Sequence, residues 1–310
     1  MHLTSRKGAI GAIVALLILA ACTANTGTSP STSASVAASQ STAASPVATV
    51  PTDQLKFHGR LVACIDIPYP PQESFDDSGN PQGSDVDIAN EIANRLGLKL
   101  EVVNSVFSTI IEALTGGRCD LIISAQNINP DRLKVVDMIP YFKAGQSFVA
   151  AKGNPKNIKT KDDLCGKTVA VQEGTTELDF LQGTGPDYKG AGLSEGCTKA
   201  GKPAINIKTF TKDNDALLAL QSGTADVYFA DSPVAGFYVK EHPDQFELTG
   251  LTLQVAIEGI SVDKGHTGIR DAVKTALLSM INDGKYAEIL KKWGVEDSAI
   301  TADQVNSGKL

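Results

Sequence analysis

Apolar positions arrive in short strand-like runs separated by segments of helical period. Leu61 to Asp66, LVACID, reads as a first strand. It ends in Ile67-Pro68-Tyr69-Pro70-Pro71, where three prolines stop both ladder and helix and display Tyr69 on a stiff loop. From Gly83 the run GSDVDIANEIANRLG offers Ser84 or Asp85 as a cap, puts Val86, Ala89, Ile92, Ala93 and Leu96 on one face, and stops at Gly97. Leu98 to Val103 follows as a second strand. Phe107 then opens a short helix with Ile110, Ile111 and Leu114 inward, which closes at Gly116-Gly117 before a third strand, Leu121 to Ile123. This βαβαβ order predicts a parallel sheet.

The pattern then recurs. Thr168 to Val171 reads as a strand, and Gln172-Glu173-Gly174-Thr175-Thr176 turns into a helix through Leu178, Phe180 and Leu181. After a Gly-rich excursion carrying Cys197 come a strand (Ala204 to Phe210), a helix (Asn214 to Gln221) and a strand (Val227 to Ala230) that runs into Asp231-Ser232-Pro233. Leu253 to Val262 reads as extended, and Ile269 to Ile281 and Tyr286 to Trp293 as amphipathic helices. Two similar α/β units with a returning C-terminus predict two lobes joined by two crossing segments: residues 55–145 with 253–310, and residues 146–252.

The chemistry concentrates where strands end. In DLIISAQNINPDR, residues 120–132, Leu121 to Ile123 make the apolar run of a strand covered on both faces, whereas Ser124, Gln126 and Asn127 offer hydrogen-bonding groups. Ligands of open α/β sheets bind at such edges. Asn129 can cap the next helix, Pro130 suits its first position, and Asp131 complements the helix dipole. A cation in that first turn opposes the dipole, by roughly 0.3 to 1 kcal/mol, so Arg132 makes more sense if it holds an anion there. A surface arginine paired with Asp131 or Asp137 is the plainer alternative. Thr175 lies at a second anion-accepting helix start or is only its N-cap. Asp231 caps the helix at Pro233, binds a cation, or does both.

Composition sets the compartment. Arg6 and Lys7, the apolar run Ala9 to Ala20 and Leu19-Ala20-Ala21-Cys22 form an export signal, residues 1–21. The run is too short for a comfortable membrane span, and its end resembles the bacterial lipobox, which implies cleavage before Cys22 and lipid on its sulfur. Cleavage removes two cations and takes the formal net charge from -7 to -9, which makes nucleic acid and anionic lipid poor partners. Residues 23–54, rich in Ser, Thr, Ala and Pro, cannot bury enough surface to fold, so 22–54 reads as lipid anchor and disordered linker. A flexible chain of that length spans roughly 30 Å. Beyond it stand Cys64, Cys119, Cys165 and Cys197. Of three pairings, Cys64 with Cys119 and Cys165 with Cys197 keep each bridge inside one lobe. No CxxC or clustered His supports a metal site, and none is expected.

From Leu61 to Val295 the chain resembles the extracellular solute-binding proteins of ABC importers, in the class that takes amino acids (family 3). The motifs that carry the resemblance are GSDVDIANEIANRLG, FSTIIEALTGGRCDLIISAQNINPDR followed by PYF, DLCGKTVAVQEGTT, ALLALQSGTADVYFAD and INDGKYAEILKKWG. It implies a periplasmic-binding-protein-like α/β fold of type II whose lobes close on a ligand. It also implies roles: Arg132 takes the α-carboxylate, with Asn127 where the family usually has Thr or Ser, and Thr175 and Thr176 meet the same group from the second lobe. Asp231 receives the α-ammonium, Tyr69 and Phe107 wall the ligand, and Asp66 and Gln172 lie near its side chain. Each role suits the residue type: a guanidinium fork for a carboxylate, a buried acid for an ammonium, an aromatic face over the ligand.

Asn127 for a hydroxyl, Gln126 for an apolar residue and Ala230 before the acid depart from the family pattern and leave side-chain specificity open. Asp66, Gln126, Gln172 and Glu177 give a polar, somewhat acidic lining, ranking glutamine, asparagine or a cationic amino acid above an aliphatic one. A monomer without cofactor is expected, with an ABC permease as its membrane partner. The rival readings are a ligand-binding sensor not coupled to transport and a dehydratase-like enzyme on the same fold. Against catalysis, the chain shows no nucleophile elbow or HExxH, and His58, His242 and His266 lie away from the motifs.

Overall fold

A computed structural model describes residues 45–185 and 192–308. The export signal, Cys22 and the linker as far as residue 44 lie outside the described residues. In chain order the elements are β1 (Arg60–Ile65), a hairpin of β2 (Ser74–Phe75) and β3 (Pro81–Gln82), α1 (Ser84–Arg95), β4 (Lys99–Asn104), α2 (Ile110–Thr115), β5 (Leu121–Ile122), α3 (Pro130–Val135) and the long β6 (Val136–Ala151). There follow β7 (Thr168–Gln172), α4 (Thr176–Gln182), α5 (Leu193–Lys199), β8 (Asn206–Phe210), α6 (Asp213–Gln221), β9 (Val227–Asp231), α7 (Ser232–Glu241), the second long strand β10 (Phe246–Asp263), α8 (Thr267–Asn282), α9 (Lys285–Trp293) and α10 (Ala302–Ser307).

An eight-stranded sheet runs in the order β4-β1-β5-β10-β6-β9-β7-β8. β1 is parallel to β4 and β5, and β7 is parallel to β8 and β9, so each outer part has the predicted parallel order. The centre differs from the prediction: β10 is antiparallel to β5 and β6, and β6 is antiparallel to β9. β6 and β10 are the two crossing segments, paired from Val136 opposite Asp263 to Ala151 opposite Phe246. This is the two-lobe type II arrangement.

Each part of the sheet is covered on both faces, which is why its strands read as continuous apolar runs. Leu61, Ala63 and Ile65 of β1 pack in the cluster that includes Ile88 and Ile92 of α1 and Val273 and Leu277 of α8. Val62 and Cys64 point the other way, into the cluster with Ile110 and Leu114 of α2. Across the crossing strands, Ala170 of β7 and Tyr228 of β9 pack with residues of α6 and α7, while Val169, Val171 and Phe229 pack with Leu181 and Leu193. A fully buried aliphatic side chain of this kind contributes roughly 1.5 to 3 kcal/mol.

Two corrections concern regular structure. Cys197 lies in helix α5 and not in an irregular excursion; Gly192 and Gly196, poor helix formers, hid that helix. Residues 45–54 are not free linker. The Val47 amide donates to the Arg95 carbonyl at 2.9 Å, Ala48 and Val50 pack on the first core, and the Gln54 side chain accepts from the Ile269 amide in the first turn of α8. Ala48 and Val50 supply the apolar contact that seats this segment, while Val47 is held by its backbone hydrogen bond.

Cys64 is bonded to Cys119 and Cys165 to Cys197, the pairing expected. Among the described residues no helix is long and apolar enough to cross a membrane.

Candidate functional site

The C-terminal ends of β1, β5, β7 and β9 converge, and the residues that follow them line one cavity. From the first sheet half come Asp66, Tyr69, Glu73, Phe107, Ser124, Ala125, Asn127 and Arg132; from the second come Gln172, Thr175, Thr176, Glu177 and Asp231. All nine ligand-contact residues expected from the sequence are in this set. Gln126 is not: it accepts a hydrogen bond from the Ser261 hydroxyl at 2.7 Å and is turned toward β10. The chain bends at Ala125, and Ser124, Ala125 and Asn127 line the cavity while Gln126 does not.

Arg132 is held where the local sequence directs it. The Asn129 side chain caps α3 by accepting from the Arg132 amide at 2.8 Å, with Pro130 at the first helical position. Arg132 is 9% exposed, and its guanidinium stacks over the Phe107 ring at 5.4 Å and donates to the carbonyls of Asn127 (2.7 Å) and Gly174 (3.0 Å). Those bonds engage two of its five N–H donors. Among the described residues no carboxylate lies within ion-pairing distance of it, so pairing with Asp131 or Asp137 is excluded: Asp131 pairs with Lys134 and Asp137 with Arg270. Burial pulls the guanidinium's pKa down, opposed by Glu177, Asp179 and Asp231. A buried guanidinium with open donors has the geometry to hold a carboxylate.

Gly174 lets the halves meet at this point. Its φ is +77°, and a Cβ there would lie 2.8 Å from the Ser108 Cα. Ala125, at φ 46°, is one of few non-glycine residues in the left-handed region, a strain that clusters at binding sites.

Asp231 occupies the N-cap position of α7 but makes no capping hydrogen bond with its side chain. One oxygen accepts from the Tyr69 hydroxyl at 2.9 Å and the other, buried, has no partner among the described residues. The Tyr69 hydroxyl in turn accepts from the Asp231 amide at 3.0 Å. Burial, then Glu177, then Glu258 push the Asp231 carboxyl well above its ordinary range. Glu177 is pushed up mainly by burial and also has an unpartnered oxygen. An incoming ammonium would answer both, because among the described residues neither carboxylate has a cation within ion-pairing distance.

Thr175 is the N-cap of α4, accepting from the Leu178 amide at 3.2 Å, while lining the cavity. Thr176 joins the halves, its hydroxyl accepting from the Asn127 amide at 2.7 Å and the Gln146 amide at 3.0 Å. Asn127 thus does cross-cleft work that a Thr or Ser is too short for. At the far end Gln172 donates to Asp66 at 2.5 Å, and the Ser124 hydroxyl accepts from the Asp66 amide and donates to Glu73 at 2.7 Å. Glu73 and Lys212 were not anticipated. Glu73 is only 1% exposed and has an unpartnered oxygen, but it stands inside a proline-dense loop that folds back on Tyr69. Lys212, which immediately precedes α6, forms an ion pair with Asp66.

A cleft between two α/β lobes, with a guanidinium from one and a carboxylate from the other, is the arrangement of a solute-binding protein. The chain belongs to the bacterial extracellular solute-binding proteins, family 3, whose model matches residues 61–296. It is 26% identical over 242 residues to the L-cystine-binding protein TcyJ of Escherichia coli (strain K12), covering 78% of this chain and 85% of that one. Among solved structures, a mutant of ArgBP from T. maritima superposes with a TM-score of 0.68 at 36% identity, covering 78% of this chain and 98% of the other. An ancestral arginine-binding protein, solved with arginine and with glutamine, superposes with a TM-score of 0.68 at 34% identity. The arginine complex covers 76% of this chain and 98% of the other.

Proposed function

We propose that this chain is the extracytoplasmic substrate-binding lipoprotein of an ABC importer. It captures a polar amino acid between two closing lobes and delivers it to a membrane permease. The reading rests chiefly on one observation: a buried guanidinium with open donors, Arg132, faces a buried, half-unpartnered carboxylate, Asp231, from the opposite lobe. An α-amino acid carries the two complementary charges on adjacent atoms. The lobes are residues 55–145 with 253–310 and residues 146–252, hinged where β6 and β10 cross.

Free space among the lining side chains is about 10 Å³, about the room of one water. An amino acid enters only if the lobes part, and the gain from satisfying both charges favours the closed form once it is in. Lipid on Cys22 would keep the protein at the cell membrane on its outer face, near the permease. Capture rather than catalysis fits the lining, in which carboxylates and amides hold one another across the cleft. Relatives named for cystine and arginine, and the ancestral protein solved with glutamine, support a polar side chain.

Calorimetry of the full chain against the twenty standard amino acids tests this. At least one polar amino acid is expected to bind, and Asp231→Asn to weaken that binding about 10- to 150-fold, the worth of a hydrogen bond to a charged group. Failure of all twenty to bind would refute the reading.

A further inference from the structure

We propose that Lys212 sets the class of ligand side chain, selecting an uncharged polar group over a cationic one by occupying Asp66 from across the cleft. The proposal rests on the amino-acid reading above. Among the described residues, Asp66 is the one cavity-lining acid whose two oxygens are both engaged by the opposite lobe. One takes the Lys212 ammonium and the other the Gln172 amide, the latter at 2.5 Å. Lys212 does not itself line the cavity; it stands behind Asp66. Its ammonium also lies within reach of the Ile67 carbonyl (3.2 Å), the Ser105 carbonyl (3.3 Å) and the Asn104 side-chain oxygen (3.4 Å).

All four acceptors belong to the first lobe, and an ammonium has only three donors. The nest therefore holds Lys212 tightly. The Asp66 side chain is 4% exposed and that of Lys212 26%, so water does little to screen the pair. Its position gives a second line of support. Lys212 is the N-cap of α6, where a cation opposes the helix dipole and makes no capping bond. Local structure disfavours a lysine at that place, and the long-range pair accounts for it.

The consequence for a ligand is direct. A guanidinium or ammonium at the tip of a ligand side chain would normally claim Asp66; here it must displace Lys212 from four acceptors or sit beside a like charge. The neighbouring Glu73 does not replace Asp66 as a counter-charge, because burial and then Asp85 hold its carboxyl well above the ordinary range and favour its neutral form. A side-chain amide meets no such obstacle. Its carbonyl oxygen can accept from the unpartnered oxygen of Glu73, which carries the proton of the neutral carboxyl because the other oxygen accepts from Ser124, and which lines the same end of the cavity.

The test is calorimetric titration of the full chain with L-glutamine and L-arginine, for the wild type, Lys212→Met, Lys212→Gln and Lys212→Arg. The wild type should bind glutamine at least about tenfold tighter than arginine. Lys212→Met and Lys212→Gln should each shift that ratio at least about tenfold toward arginine, while Lys212→Arg, which keeps the charge, should leave it close to the wild-type value. The two neutral variants make the result independent of either one folding poorly. A wild type that prefers arginine, or a ratio unmoved in both neutral variants, overturns the proposal. So do neutral variants that fold and lose both ligands, since Lys212 would then support closure without selecting. If the wild type binds neither amino acid the proposal falls, and the amino-acid reading falls with it only if the other eighteen standard amino acids also fail to bind.

Discussion

Arg132→Ala is expected to weaken amino-acid binding by about 30- to several-thousand-fold, equivalent to roughly 2 to 5 kcal/mol, without unfolding the lobe. Removing the guanidinium leaves the ligand carboxylate desolvated between Phe107 and the start of α4 with no cation to answer it. The fold should survive, because the cap of α3 uses the Arg132 backbone amide, which alanine keeps. What the substitution does remove is a pair of hydrogen bonds, to the carbonyls of Asn127 and Gly174. The second reaches the other lobe, so part of the loss should appear as faster ligand release. Calorimetry gives the affinity and circular dichroism the fold. A change under about threefold would remove Arg132 from the carboxylate role.

Replacing Cys64 and Cys119 together by Ser should lower stability by about 4 kcal/mol, the loop-entropy estimate for cysteines 55 residues apart. For a chain of this size that corresponds to a melting temperature lower by roughly 8 to 16 °C. Cys64 is 0% exposed in β1 and Cys119 is 4% exposed just before β5, so two hydroxyls would also be placed in an apolar cluster. The bridge ties together the strands that lead to Asp66 and to Ser124. Ligand affinity should therefore fall as well, by less than in Arg132→Ala. Thermal unfolding with and without ligand measures both effects, and a loss under about 1 kcal/mol would show that the bridge constrains little.

Legibility in the sequence followed distance along the chain. Arg132 was readable because Asn129, Pro130 and Asp131 announce the helix start within three residues of it. β1, α1 and the strand ends were readable because burial on both faces imposes continuous apolar runs. The long β6 was not recognised. Pro140 interrupts its ladder at a register shift opposite Glu258 and Gly259, and Lys143, Gly145 and Gln146 break the apolar run in the segment that crosses between lobes. The parallel order of the outer strands therefore read as the order of the whole sheet.

Within the site, residue types were legible and partners were not. Tyr69 reads as an aromatic wall, yet its hydroxyl also orients Asp231, 162 residues away. Asp66 reads as a ligand contact, yet its charge is taken by Lys212, 146 residues away. Nothing in the neighbourhood of either residue encodes such a pairing, which only the folding of the two lobes onto each other creates.

The most direct test of the clamp is the affinity of an amino acid that binds, set against that of its N-acetyl derivative. Acetylation removes the positive charge that faces Asp231 and Glu177, adds an acyl group on the nitrogen, and leaves the carboxylate and side chain in place. The clamp predicts that the acetylated ligand binds at least about thirtyfold more weakly. Equal affinity for the two would contradict it.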